Sequence, residues 1–117
     1  MIKYYLINDE IVWYNRECEM NKQVKKERYR KMYEAILSLK TVEEAIDFFD
    51  DLCTVTELGA MEQRYQVAEC LDKGMIYNDI LAETGASSAT ISRVNRSLQY
   101  GKGGYNIVFE RLGEEEK

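Results

Sequence analysis

The stretch that decides the fold runs from Tyr77 to Gln99 and reads YNDILAETGASSATISRVNRSLQ. Gly85 stands where two helices would meet, and glycine takes a left-handed turn with no Cβ penalty. Ile80 before it, and Ala86, Ile91 and Val94 after it, are spaced to lock the two helices across that turn. Ser87 is a small polar residue placed to cap the second helix. The remaining side of that helix carries Ser88, Ala89, Thr90, Ser92, Arg93 and Arg96. Short side chains at its start would let a helix enter the major groove closely, and arginines could reach bases or phosphates. The pattern predicts a helix-turn-helix, and a helical corner that binds protein instead of DNA would show the same apolar spacing. Leu81, with Ala82 beside it, lies where such motifs often place a close-packing alanine, so the two helices are expected to cross slightly differently.

Working outward, the segment before the motif is also helical in period. Tyr29, Met32, Tyr33, Ile36 and Leu39 recur at i, i+3, i+4, i+7 and i+10, within a period that begins near Asn21. Thr41-Val42-Glu43-Glu44 and Thr54-Val55-Thr56-Glu57 both fit capping boxes. Val42, Ala45, Ile46, Phe49 and Leu52 follow the first. After the second comes a long helix to about Asp72, closed by Lys73-Gly74. Leu58, Met61, Tyr65 and Ala68 mark one apolar side of it, and Val67, Cys70 and Leu71 another. A helix apolar on two sides needs two neighbours, and a second subunit is one candidate. Residues 1–19 read differently: Tyr4 to Ile7 and Ile11 to Tyr14 suit two short strands about Asn8-Asp9-Glu10, within residues 1–15.

Composition narrows the function classes. The 117 residues include no proline, which favours long helices, and 45% are hydrophobic, an ordinary globular content. No apolar run is long enough to cross a bilayer, and Met1 to Leu6 make no export signal, which together point to the cytoplasm. There is no histidine, and Cys18, Cys53 and Cys70 form no CxxC pair. A zinc site and a Ser-His or Cys-His nucleophile are therefore excluded, and Cys53 and Cys70 read as small buried hydrophobes. The carboxylate pairs Glu43-Glu44 and Asp50-Asp51 read as caps and solvated faces, so no enzyme, cofactor or metal is expected. Net charge is −5, yet Gly85 to Phe109 holds Arg93, Arg96 and Lys102 and no acid. A locally basic surface on an acidic body suits a DNA-binding regulator.

Three stretches carry a family resemblance: AILSLKTVEEAIDFFDDLCTVTEL (35–58), QRYQVAECLDKG (63–74) and TGASSATISRVNRSLQYGKGGY (84–105). Over Met20 to Leu112 the chain resembles the YerC/YecD group of tryptophan-repressor-like proteins. The resemblance implies an all-α fold of about six helices per subunit. It also implies two chains intertwined through their N-terminal helices, each with one helix-turn-helix for an operator in double-stranded DNA. It divides the chain into an N-terminal extension, 1–19, and a DNA-binding domain, 20–117.

In the tryptophan repressor, two arginines bracket the bound amino acid, and Arg64 and Arg93 match them. The residue after the second arginine is glycine there and Val94 here. Its methyl groups would fill the space left for the indole ring, and overfilling of this kind costs about 1–3 kcal/mol. The resemblance thus implies a repressor without tryptophan as corepressor.

Overall fold

The computed structural model describes residues 3–7, 10–14 and 28–115. Cys18, the expected helical start at Asn21 and the boundary between residues 19 and 20 lie outside them. By contact density the chain divides into two units, residues 1–48 and 49–117.

The first unit opens on β1 (Lys3–Ile7) and β2 (Glu10–Tyr14), paired antiparallel with Lys3 opposite Tyr14 and Ile7 opposite Glu10. Glu10 therefore belongs to a strand and not to the turn. Helix α1 (Arg30–Leu37) follows, then α2 (Val42–Leu52), which ends in the second unit. Thr41 caps α2, its Oγ1 accepting from the Glu44 amide at 3.1 Å. The reciprocal bond differs from the expected box, because the Glu44 carboxylate accepts from the Lys40 amide at 3.2 Å. Both helices are amphipathic by sequence, yet neither contains a buried residue. Leu37 is 84% exposed, and Val42 and Ile46 are also open.

The second unit contains α3 (Val55–Asp72), α4 (Tyr77–Thr84), α5 (Ser88–Tyr100) and α6 (Gly104–Glu115). At the start of α3 the Thr54 box is complete. The Glu57 amide donates to Thr54 Oγ1 at 3.1 Å, and the Thr54 amide donates to Glu57 Oε1 at 2.9 Å. Two orphan donors are thereby satisfied reciprocally. The core gathers Val67, Ala68 and Cys70 from α3, Ile80 from α4, Ala86 from the turn, and Ile91 and Val94 from α5. Ala68 thus packs with Val67 and Cys70 and not on the opposite side of α3 with Met61, which is exposed. Leu71, Met75, Leu98, Tyr105 and Phe109 close over this core. The last two bring in α6, whose Phe109 ring lies 5.7 Å from Tyr65 and 6.0 Å from Tyr105. Among the described residues the amino-terminal half of α3 contributes none to this core, and Val55 is 90% exposed.

Candidate nucleic-acid interface

The turn between α4 and α5 follows from three side chains and one glycine. Gly85 sits at φ 71° in the left-handed region, and its amide donates to the Leu81 carbonyl at 3.0 Å, ending α4. Ala86 is buried, which pins the chain to the core just after it reverses. Ser87 then caps α5, its Oγ accepting from the Thr90 amide at 3.1 Å. The two hydroxyls, Ser87 Oγ and Thr90 Oγ1, also lie 3.0 Å apart. Thr90 is half-buried and engaged at the cap, so of the expected contact residues it is placed as a support.

Helix α5 then separates its residues cleanly. Ile91 and Val94 are buried, with Val94 only 1% exposed, while Ser88, Ala89, Ser92, Arg93 and Arg96 are exposed. Positions 89, 92, 93 and 96 are three and four residues apart, which sets them along one side of a helix. The acid-free stretch expected to be locally basic is therefore presented as an outward stripe with both arginines on it. Leu81, which stands where such motifs often place a close-packing alanine, is exposed on α4 beside exposed Ala82. Lys102 lies off the stripe, in the loop after α5, on the rim of an open cleft with Tyr65 and Tyr105. Gly101 makes that loop possible, because a Cβ there would collide with the Ser97 carbonyl oxygen.

The residues expected to mark a vestigial effector pocket lie on two helices. Arg64 is half-buried on α3, Arg93 is exposed on α5, and Val94 is built into the core. Among the described residues there is no cluster of His, Cys, Asp or Glu able to hold a metal, and no helix long and apolar enough to cross a membrane. Burial raises the Cys70 thiol above its ordinary range, with Glu83 nearby adding to the effect.

Sequence reasoning missed a hydrogen-bond cluster at the turn. Thr84 Oγ1 donates to the Ile80 carbonyl at 2.7 Å and accepts from the Ala86 amide at 3.2 Å. Gln63 Nε2, on α3, donates to the Thr84 carbonyl at 3.3 Å. The Thr84 bonds carry a local signal, since threonine often bonds back to the carbonyl four residues earlier. Gln63 is 21 residues from its partner and carries none.

The family model for the Trp repressor protein matches residues 27–113, which includes every helix from α1 to α5 and most of α6. The chain belongs to the Trp repressor family. YerC from Bacillus subtilis (strain 168) is 49% identical over 85 residues, 73% of this chain and 82% of that protein. A solved TrpR-like protein from Eubacterium eligens ATCC 27750 is 53% identical, with a TM-score of 0.72 over 80% of this chain and 95% of the other. The Trp repressor family has the fold of DNA-binding regulators and is not an enzyme family. In this chain Arg64 is half-buried on α3 and Arg93 exposed on α5, with buried Val94 beside the second.

Proposed function

We propose that this protein is a homodimeric, sequence-specific DNA-binding regulator of transcription, acting as a repressor without tryptophan as corepressor. The observation that carries the reading is the division of α5, with Ile91 and Val94 buried and Ser88, Ala89, Ser92, Arg93 and Arg96 outward. The N-terminal end of such a helix enters the major groove. Ser88 and Ser92 hydroxyls make single hydrogen bonds as donor or acceptor, so their direct readout is modest. Arg93 is the side chain able to make a bidentate contact to guanine, worth about 1–3 kcal/mol of discrimination. Arg96, one turn further from the groove floor, contacts phosphate, with Ser87 and Thr90 holding the helix start and Lys102 adding charge beyond its end. Water bridges and DNA shape supply the rest of the specificity.

A two-fold dimer presents two such helices, so the operator has two half-sites about one helical turn apart. Support for the dimer comes from α1 and α2, which contain no fully buried residue and leave Leu37, Val42 and Ile46 exposed, and from exposed Val55 and Met61 on α3. Support for effector independence comes from Val94, whose methyl groups occupy core space. Calorimetry with L-tryptophan gives no saturable heat, and tighter DNA binding at millimolar tryptophan would contradict this.

The deciding experiment is selection of bound genomic DNA by the purified wild type and by Arg93→Ala. The wild type selects a two-fold symmetric sequence, and the variant loses preference at one base pair of each half-site. An unchanged sequence logo would reduce Arg93 to a backbone contact. Failure to select any DNA would leave the exposed corner as a protein-binding surface. Arg96→Ala weakens all sequences alike and lowers the salt slope by about one.

A further inference from the structure

We infer that Gln63 is a positioning residue that holds the reading head, α4 with α5, at a fixed setting on α3, so that the head is preorganised with no small molecule bound. The inference rests on the DNA-binding reading above and adds to it how the stripe is kept in place. The core beneath the head is made of Val67, Ala68, Cys70, Ile80, Ala86, Ile91 and Val94. Contacts among such groups are strong but non-directional. They fix how closely the head sits to α3, and a directional bond adds a constraint on its angle.

Among the described residues, one hydrogen bond ties α3 to the head, from Gln63 Nε2 to the Thr84 carbonyl at 3.3 Å. Its acceptor is not an arbitrary atom. Thr84 is the last residue of α4 and stands directly before left-handed Gly85, so its carbonyl marks the hinge of the motif. It is also one of the carbonyls a helix end leaves without an intrahelical donor. The Thr84 hydroxyl is bonded on both sides of the hinge, to Ile80 behind and Ala86 ahead. A pull on the Thr84 carbonyl is therefore transmitted to both helices at once. The site is partly buried, where a hydrogen bond is less weakened by water.

Gln63→Met keeps the length and removes the donor. With a selected operator, its affinity falls about three- to tenfold, the range one neutral hydrogen bond supplies. The salt slope, the selected sequence and the dimer mass stay as in the wild type, and the thermal midpoint falls by only a few degrees, as the loss of one neutral hydrogen bond implies. In the free protein, amide hydrogen exchange at Gly85 and Ala86 speeds up while α5 amides elsewhere do not change. Gln63→Glu, of the same shape, sets a carboxylate against the carbonyl and weakens binding at least as much as Gln63→Met. Wild-type affinity and wild-type exchange in both variants would overturn the inference. If wild-type protein selected no DNA, the DNA-binding reading would fail by itself, and exchange at Gly85 and Ala86 would still decide whether Gln63 holds the turn.

Discussion

Two regions of this chain solve the same problem in opposite ways. The carboxy-terminal half of α3 with α4 and α5 closes its own core, with Val67, Ala68, Ile80, Ala86, Ile91 and Val94 all at or below 1% exposed. Helices α1 and α2 are also periodic in apolar residues, yet none of their residues is fully buried, and Leu37, Val42, Ile46 and Leu52 stay open. The difference teaches that amphipathic period specifies which face of a helix is to be covered, but not what covers it. The head covers itself because a three-residue turn, Gly85 to Ser87, folds α4 and α5 back on α3, where their apolar residues share one core. The exposed apolar residues of α1 and α2 are the ones that the proposed second copy would cover.

The largest expected effect would break that contrast. The wild type runs in light scattering at twice the 13.7 kDa chain mass at micromolar concentration. An obligate interface of this kind buries about 2,000 Å² or more. Ile46→Asp sets an unpaired charge on the α2 face, which in a buried interface costs about 3–5 kcal/mol, and the dimer dissociates or unfolds. A monomeric wild type would mean that α1 and α2 are covered in some other way.

Next in size comes the head. Ile91→Ala removes a fully buried side chain from a closed core, and such truncations cost about 2–5 kcal/mol. The melting temperature falls while dimer mass at high concentration is kept. If Ile91→Ala instead dissociated the dimer with little loss of stability, the head would not be the self-contained unit its burial describes.

How much of this was legible in sequence follows the same division. The motif was readable because its signals are local: Gly85, the Ser87 cap and the spacing of Ile80, Ile91 and Val94 lie within fifteen residues of one another. The all-helical family fold was readable through the matching stretches. What was not readable is non-local. Phe109 meets Tyr65 from the far end of the domain, and Gln63 finds the Thr84 carbonyl across 21 residues, neither with any periodic mark. Ala68 shows the limit from within one helix. Its position admits either of two sides, and neighbours from α4 and α5 decide.

Gly85→Ala has a smaller effect and sharpens the account of the turn. The space is open, with no atom near an added Cβ, so the whole effect is backbone strain at φ 71°. A left-handed non-glycine residue costs about 1–2 kcal/mol. Ser87→Ala, at the next structural step, removes the cap to the Thr90 amide and costs about 1 kcal/mol. Both lower stability without altering dimer mass. A loss above that of Ile91→Ala would show that the turn, and not the core, holds the head together.

The smallest expected effect lies where Thr54 and Glu57 start α3. The Thr54 amide, and secondly its hydroxyl, hold the Glu57 carboxyl below its ordinary value, because both interactions favour the charged form. The folded state therefore binds this proton less readily than the unfolded chain. The resulting stabilisation is complete above the unfolded carboxylate range and is lost as pH falls through the lowered folded value. Glu57 is fully exposed, so solvent screens the effect and it is a small one. Glu57→Gln keeps a side-chain acceptor for the Thr54 amide and removes the titration. Stability measured by denaturant from pH 7 down to pH 3 should fall slightly less steeply for Glu57→Gln than for the wild type, with the two curves converging at the acid end. Parallel curves across that range would show that the box contributes geometry alone and that its charge adds nothing to the start of α3.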